Sequence, residues 1–394
     1  MTQPAAAGST PGRLFDASFA RLTAVAFVFF MAMGATFPVL PRFVRDELGA
    51  GDTAVGVALG TMALGAILAR PAIGTIGDRR GRRLLLVAGG LVSAVAMAGH
   101  LAVDGLGMLI VLRLVFGAGQ GAVIVGATTL AVDSAPGDRS GEATSYVFVA
   151  LHLGSGLGAL LGEWLLQNRS FDAVWVMCAV AMSVSAVVAL TLPRGIPNDP
   201  ADTSLPMLHP RAVLPGIILG IGTLGFIGYN AFVPLFGDEI GVDNVAPYFL
   251  MTSLTIVAIR SMGARIPDRL GPRRGGSLAL VVITAGLTII GAWRTAVGLG
   301  VGSVVLASGT ALLLPSLVTA AVDGVPAAQR SRAMATYTLF LEISAAVGGV
   351  LFGGVASVST YGTAFLVAAG GAAVALVVLR LRLTVPPPPS AAPG

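Results

Sequence analysis

Charged or titratable side chains lie inside several long apolar runs of this sequence, namely Arg70, Arg113, His152, Glu163, Arg260 and Glu342. A charge inside a lipid bilayer is costly unless it faces a cavity or a partner. A carboxylate beside an arginine can exchange that partner for a proton, which is the chemistry that couples a protein to a proton gradient. For each residue, a static ion pair that fixes helix packing and a contact to a small molecule remain open alternatives.

The depth of each charge along its helix is the first clue to its partner. At about 1.5 Å per residue, Arg70 lies roughly 12 Å from Asp78, and Glu342 lies roughly 14 Å from Arg332. These two depths match. Residues 70, 74 and 78 also share one helix face, because they are spaced four apart.

A second pair of charges matches in the same way. Arg113 lies 20 residues before Asp133, and Glu163 lies 21 residues after Glu142 on the neighbouring antiparallel run. Their levels therefore coincide, and we predict an Arg113–Glu163 pair.

The chain repeats itself with an offset of 190 residues (268 minus 78). Residues 74–83, GTIGDRRGRR, recur as residues 264–274, ARIPDRLGPRR. The same offset places Arg70 on Arg260 and His152 on Glu342, whereas Arg113 falls on Ser303. Two similar halves are therefore predicted, which differ at some of their charged positions.

Composition identifies the solvent of these elements as lipid. The 394 residues are 55% hydrophobic and 11% charged, whereas a soluble domain carries about 25% charged residues. The basic residues sit between apolar runs, which argues against a nucleic-acid partner. The single Cys178 excludes a disulfide framework and a cysteine metal cluster, no metal site is expected, and enzyme signatures are absent.

A span of about 20 apolar residues crosses the hydrocarbon core. Twelve spans are predicted on that basis: 19–41, 53–77, 83–103, 106–132, 143–167, 171–193, 212–236, 245–266, 276–294, 297–322, 333–358 and 361–383.

Arginine placement predicts the orientation of these spans. With the N-terminus inside, seventeen arginines fall on the inner side and four, Arg42, Arg45, Arg169 and Arg294, on the outer side. Short cytoplasmic loops are enriched in arginine, so both termini are predicted to be inside. The inner set is Arg13, Arg21, Arg79, Arg80, Arg82, Arg83, Arg139, Arg194, Arg211, Arg265, Arg269, Arg273, Arg274, Arg330, Arg332, Arg380 and Arg382.

The expected organisation has five parts. Residues 1–18 and 385–394 are predicted to be disordered tails, and residues 195–210 a polar linker on the inner side. Residues 19–194 and 211–384 are predicted to be the two six-helix bundles.

The repeated loop pattern G-x-x-x-D-R-x-G-R-R resembles the signature of the major facilitator superfamily, and the resemblance covers essentially the whole chain. Residues 113–121 are similar to the R-x-x-x-G-x-G-x-G pattern of proton-coupled exporters. Residues 154–163 look like the glycine-rich antiporter motif, although Ala159 stands where that motif has Pro and Glu163 where it usually has Gly. The overall resemblance is to the twelve-helix drug and metabolite efflux branch.

This resemblance implies an all-α membrane protein with twelve transmembrane helices in two pseudo-symmetric six-helix bundles and both termini in the cytoplasm. It implies a multi-pass protein of the bacterial inner membrane that acts as a monomer on a small molecule. No cofactor is expected, because the proton gradient supplies the energy.

The resemblance also implies a conformational latch at the inner side. Asp78 is expected to cap the eleventh span near Ala333 and so to stabilise the outward-facing state, with Asp268 acting likewise on the fifth span. Alternatively, the arginine-rich loop is only a topology signal. The predicted latch residues are Gly74, Asp78, Arg79, Gly81, Arg82, Arg83, Asp268, Arg269, Gly271 and Arg273.

Arg70 shares a helix face with Asp78, which is expected to meet the eleventh span. Arg70 should therefore face that span too, which predicts an Arg70–Glu342 pair. By the repeat, Arg260 faces the fifth span at the depth of His152. We treat Arg70, Arg113, His152, Glu163, Arg260 and Glu342 as candidates for proton coupling. Polar or adaptable side chains at mid-depth are candidates for a central cavity, with ordinary packing as the alternative: Gln120, Tyr229, Asn230, Met31, Met33 and Phe37.

Three functions fit these observations. The leading hypothesis is a proton-driven exporter, or antiporter, of small amphipathic drugs or metabolites that works by rocker-switch alternating access, and multidrug transport is one form of it. The second is an uptake symporter or facilitator for a sugar or an organic acid. The third is a transporter-like receptor or a scaffold for envelope assembly.

Overall fold

The computed structural model describes residues 16–135, 139–194, 208–262 and 266–383, with the main chain alone at 266–268, 327, 328 and 331. Within these residues the chain forms twelve α-helices and no β-strand. Of the predicted tails and linker, residues 1–15, 195–207 and 385–394 lie outside the described part, as do Arg13 and Arg265. The helices are α1 (Ala17–Arg42), α2 (Asp52–Arg80), α3 (Arg82–Gly99), α4 (Leu106–Ser134), α5 (Ser140–Asn168), α6 (Phe171–Ala189), α7 (Pro210–Glu239), α8 (Ala246–Met262), α9 (Ile266–Ala292), α10 (Ala296–Val322), α11 (Ala327–Val358) and α12 (Tyr361–Arg382).

Most of these helices are long and apolar enough to cross a membrane. Eleven stretches of the described chain meet that criterion. The described part of α8 has 17 residues and is shorter than the others. Each predicted span corresponds to one helix, and most ends differ by a few residues. The exception is α9, which begins at Ile266, ten residues before the predicted start at 276, and is kinked at Gly271.

Short polar side chains mark where several helices begin. A side-chain oxygen at the N-cap accepts a hydrogen bond from a main-chain N–H of the first turn, which would otherwise lack a partner. This bond is made at α1, α6, α10 and α12 by Asp16, Ser170, Thr295 and Thr360.

Glycines set the distance between α1 and α5. Gly154, Gly158 and Gly162 follow one another at every fourth position of α5 and lie against the main-chain oxygens of Phe27, Met31 and Ala35 in α1. A Cβ atom at any of the three would overlap α1, so glycine is needed for this close approach. On another side of α1, the buried thiol of Cys178 in α6 lies 3.1 Å from the main-chain oxygen of Ala32.

The helices form two groups of six that meet mainly through three helix pairs. Helices α1–α6 pack on one another, as do α7–α12. The two groups meet where α2 packs on α11, α5 on α8 and α1 on α7. We call the α2–α11 contact the first seam and the α5–α8 contact the second seam. The 190-residue offset converts one seam into the other.

The two ends of the bundle differ in charge. The end that holds the α2–α3 and α8–α9 junctions carries most of the arginines, and we call it the basic end. The end that holds the α1–α2 and α7–α8 connections is called the opposite end.

The repeat is visible in the hydrogen bonds at the basic end. Arg83 donates to the main-chain oxygen of Leu190 at 3.3 Å, and Arg273 donates to that of Arg380 at 2.8 Å. Each partner differs from its counterpart by 190 residues. Gly81 and Gly271 occupy equivalent turns with φ of 90° and 70°, a conformation that residues other than glycine rarely adopt.

Candidate functional site

Arg70 and Glu342 form the predicted ion pair across the first seam. Arg70 Nη1 lies 2.7 Å from Glu342 Oε2, and Arg70 Nη2 donates to Thr338 Oγ1 at 2.9 Å. Each charged side chain is 33% exposed, so water reaches the pair. Nearer the opposite end, Gly60 of α2 lies directly against the main-chain oxygen of Ala346 in α11. That contact fixes the helix separation at which the charges meet.

Arg260 occupies the equivalent place on the second seam. As predicted, it faces α5, where its guanidinium carbon lies 5.2 Å from the centre of the Phe148 ring. It forms no hydrogen bond or ion pair with any described residue, and its Nε is buried without a partner. His152, one helical turn from Phe148, is close enough to interact electrostatically with Arg260. The second seam therefore has the arginine of the first seam but lacks its carboxylate.

A cavity of about 920 Å³ lies between the basic ends of α4, α5, α8 and α10. Of the residues that line it, Glu142 and Arg260 are the two with charged side chains. Glu142 is paired with Arg139 by two hydrogen bonds of 2.8 and 2.9 Å. Arg260 is therefore the uncompensated charge of this cavity wall.

The predicted Arg113–Glu163 pair is wrong. Arg113 is 1% exposed and turns toward α2, where its Nε donates to the main-chain oxygen of Ala58 at 3.3 Å and its Nη2 lies 3.3 Å from Met62 Sδ. One turn further along α4, Gly117 packs against the Met62 oxygen, so this face of α4 belongs to α2. The levels of the two charges had matched, but their helix faces point apart.

Glu163 is instead paired with Arg42 at the opposite end. Arg42 Nη1 lies 2.7 Å from Glu163 Oε1, and Arg42 Nη2 lies 2.9 Å from Asp238 Oδ1. Gln167 also donates to Glu163 Oε1 at 3.0 Å. Glu163 is 0% exposed, and its Oε2 has no hydrogen-bond partner among the described residues. One arginine thus joins a buried carboxylate of its own half to a half-exposed carboxylate of the other half.

A second polar contact joins the halves beside this cluster. Tyr361 of α12 donates from its hydroxyl to Asp52 Oδ1 of α2 at 2.6 Å, and Arg45 donates to the Tyr361 oxygen at 3.3 Å. Within the second half, Arg294 pairs with Glu239. The opposite end is therefore held closed by side chains from both halves.

Among the described residues, Asp78 does not make the predicted latch contact with α11 in this arrangement. Asp78 accepts a hydrogen bond from Arg82 at 2.9 Å instead of capping α11, and Arg82 Nε also lies 3.6 Å from Asp133. Gly74 has open space where a close helix crossing was expected. The physical reason is that the halves meet nearer the opposite end, at Gly60, so no helix approaches Gly74.

The other predicted latch residues lie at the two equivalent turns. Arg79 and Arg269 are exposed at the basic end, and the side chain of Asp268 lies outside the described part of the chain. Gly81 and Gly271 form the turns, and Arg83 and Arg273 tie each turn to its own half. Their role in a latch stays a prediction.

The residues expected in a central cavity do not line the 920 Å³ cavity. Tyr229 is fully buried, and its hydroxyl lies 2.8 Å from Ser303 Oγ and 3.2 Å from Thr252 Oγ1. Phe37 of α1 meets Phe249 of α8 with ring centres 5.9 Å apart, a contact between the two halves. Asn230 donates to its own helix at the Phe226 oxygen, while Gln120, Met31 and Met33 are half-buried.

Comparison with known proteins decides the family. The model of the Major Facilitator Superfamily matches residues 22–307 and 262–394. The chain belongs to the Major Facilitator Superfamily. As a member of this superfamily it is a secondary transporter and not an enzyme.

Related proteins of the superfamily match along almost the whole chain. The uncharacterized MFS-type transporter STM4428 of Salmonella typhimurium is 26% identical over 373 residues, which cover 92% of this chain and 96% of that protein. YhhS of Escherichia coli K12, another uncharacterized MFS-type transporter, is 26% identical over 404 residues and 98% of each chain. The crystal structure of a point mutant of the nucleoside transporter NupG has the same fold, with a TM-score of 0.77, 15% identity, and coverage of 92% of this chain and 98% of that one.

The residues of this superfamily transporter that sequence reasoning missed lie at the opposite end. Arg42 and Arg45 were interpreted only as orientation signals. The sequence did contain a signal, namely the glycines at every fourth position of α5. These glycines pack on α1, with Gly162 against Ala35, and Glu163 directly follows Gly162. A buried Glu163 next to α1 needs a cation from that helix, and Arg42 is the first basic residue beyond Ala35.

Proposed function

We propose that this transporter is a proton-coupled exporter of small amphipathic drugs or metabolites in the cytoplasmic membrane of a bacterium. The basic end faces the cytoplasm, since arginine-rich loops stay on that side, and both termini lie there. All twelve helices cross the membrane. The cavity between α4, α5, α8 and α10 then opens toward the compartment from which an exporter takes its substrate. It acts as a monomer without a bound cofactor.

Alternating access follows from moving the two halves, residues 19–194 and 211–384, against each other. To open the outer side, the contacts from Arg42 to Asp238 and from Tyr361 to Asp52 have to separate, because each joins the two halves. When the basic end closes, Asp78 can leave Arg82 and cap α11 as the predicted latch. In each cycle, the polar contacts between the halves therefore break at the outer side and form at the basic end, and then the reverse.

The observation that carries proton coupling is the arginine shared by Glu163 and Asp238. A buried carboxylate needs either a cation or a proton. When the outer side opens, Asp238 moves away with its half and water reaches the Arg42–Glu163 pair, so a proton from outside can take the place of Arg42 on Glu163. Closure returns Arg42 to Glu163 and displaces that proton, which leaves toward the cytoplasmic side while the basic end is open. Glu342, which pairs with Arg70 at the first seam where water reaches both side chains, is the second candidate for proton coupling.

Proton movement in everted membrane vesicles tests this proposal. A substrate identified by the drug and metabolite sensitivity of a deletion strain should discharge the pH gradient when it is added to vesicles with the wild-type protein. Glu163→Gln should abolish this discharge while substrate exchange without a gradient persists. Glu47→Gln, which removes an exposed carboxylate at the same end, is the matched control and should behave as wild type.

Three results would contradict the proposal. Full proton movement in Glu163→Gln and in Glu342→Gln would remove both residues from coupling. Substrate that accumulates inside cells together with protons would show an uptake symporter, the alternative function. A deletion strain with no change in any transport but with a defective envelope would favour the scaffold.

A further inference from the structure

The charge balance of the cavity points to the chemistry of its occupant. The cavity wall is mostly apolar, and its volume of about 920 Å³ is within the usual range for small-molecule sites. Glu142 is neutralised by Arg139, so Arg260 supplies one uncompensated positive charge.

Arg260 is held ready for a ligand by its surroundings. Its guanidinium group lies over the Phe148 ring, which orients the plane, and its buried Nε lacks a partner in the described structure. A guanidinium group presents a planar set of N–H donors that fits a carboxylate, sulfonate or phosphate. A buried charge without a partner is costly, and an anion in the cavity relieves that cost.

The first seam provides the internal comparison. There the equivalent arginine, Arg70, is bound to Glu342 at 2.7 Å and has no charge left for a ligand. The backbone setting is the same, since Gly60 meets Ala346 in the first seam and Leu250 meets Gly156 in the second, each pair related by the 190-residue offset. The difference between the seams is therefore the carboxylate at position 342, which is His152 in the second seam.

We propose that the second seam is an anion site in which Arg260 binds the single negative charge of a small aromatic or amphipathic monoanion, with Phe148 beside the apolar body of the ligand. The inference rests on the proposed transport function in that the cavity is the substrate site, and it narrows the substrate class. A cation of the same shape is excluded by repulsion from Arg260, and a neutral analogue leaves the arginine unpaired.

Calorimetric titration of the purified protein in phosphatidylcholine nanodiscs tests this selectivity without any gradient. The probes are naphthalene-2-sulfonate, the neutral 2-naphthamide and the cationic 2-naphthylmethylammonium. We expect the sulfonate to bind about 10- to 100-fold more tightly than either analogue, the range for one charge-assisted hydrogen bond. Arg260→Gln should lose this preference, whereas Arg260→Lys, which keeps the charge, should retain a preference for the anion.

Two substitutions of His152, one to an acidic residue and one to a neutral residue, test the anion site more sharply than the Arg260 variants. His152→Glu places a carboxylate where Glu342 stands in the first seam, so it should pair with Arg260 and weaken sulfonate binding about tenfold or more. His152→Gln has nearly the same shape without the charge and should bind the sulfonate at least about tenfold more tightly than His152→Glu. Equal affinities in the two variants would overturn the proposal.

The remaining outcomes separate the anion site from its alternatives. Equal binding of the three probes, no binding of the sulfonate, or an Arg260→Gln variant with wild-type affinity would each overturn the anion site. A sulfonate affinity that falls when phosphatidylglycerol replaces phosphatidylcholine would assign the site to a lipid headgroup and also overturn it. Anion selectivity without proton movement in everted vesicles would instead refute the proposed export and leave the anion site standing.

Discussion

The two seams are built on one plan but differ in charge. In the first seam Arg70 is bound to Glu342 and Thr338. In the second seam the equivalent Arg260 lies over an aromatic ring and forms no ion pair with any carboxylate of the described residues. In both seams a glycine that lies nearer the opposite end than the charge allows the close approach of the helices, Gly60 of α2 in the first seam and Gly156 of α5 in the second. A repeated fold can therefore keep the same helix packing in both seams while one arginine forms an ion pair and the equivalent arginine does not.

The asymmetry has an energetic side. A pair that is one-third exposed contributes little when intact, because water screens it. An arginine that lacks a partner inside the membrane-spanning fold lowers stability unless water or a ligand reaches it. Because Arg260 lines a cavity, water or a small molecule can reach it there and limit this loss of stability.

The largest expected effect comes from the glycine that brings the first seam together. Gly60→Val places a side chain against the main-chain oxygen of Ala346 and should reduce the free energy of unfolding by about 3 kcal/mol. In the second seam, Gly156→Val meets Ser253 Cβ and Oγ at a longer distance than Gly60→Val meets the Ala346 oxygen, so a somewhat smaller loss of about 2 kcal/mol is expected. SDS titration in mixed micelles measures both.

The control for this prediction lies on the same helix. Gly74→Val adds the same side chain in open space and should change the free energy of unfolding by less than about 0.5 kcal/mol. A loss at Gly74 as large as the loss at Gly60 would mean that the helices approach each other along their whole length.

A smaller effect is expected when the first seam is made like the second. Glu342→Gln removes the partner of Arg70 and should reduce the free energy of unfolding by about 1–2 kcal/mol, between the values for exposed and buried pairs. A double-mutant cycle with Arg70→Gln isolates the interaction. If the two single losses simply add, the ion pair does not stabilise the seam and the contrast with Arg260 disappears.

The smallest effect concerns the aromatic neighbour of the free arginine. Phe148→Leu keeps an apolar side chain but removes the ring under Arg260, and a loss of about 0.5 kcal/mol is expected from the cation–π contact. In an Arg260→Gln background the same substitution should cost nothing beyond its packing effect. An equal loss in both backgrounds would show that the ring does not hold the guanidinium group.

The helices and one ion pair could be predicted from the sequence because both have strong, local signals. Apolar runs of membrane length gave the helices. Arg70 and Glu342 were constrained twice, by depth and by the helix face that Arg70 shares with Asp78. Arg113 and Glu163 were constrained by depth alone. Depth fixes the level of a side chain but not its direction around the helix, and the direction decided the outcome.

The contacts at the ends could not be predicted for a different reason. Asp78 pairs with Arg82 of its own half, and in the proposed transport cycle the start of α11 becomes its partner when the basic end closes. A sequence encodes both arrangements at once. Arg42 was missed because an arginine at a membrane edge serves topology as well as pairing, and only the packing of Gly162 on α1 distinguishes the two.

The buried position of Cys178 has a practical consequence for following these motions. It is the single cysteine of the chain, it is fully buried, and it lies against the main chain of α1, so thiol reagents should leave it untouched in the folded protein. Cysteines introduced in pairs at exposed positions across either seam can then carry spin labels or fluorophores without a cysteine-free background being made first. The natural protein is already suited to measuring, in angstroms, how far the halves move.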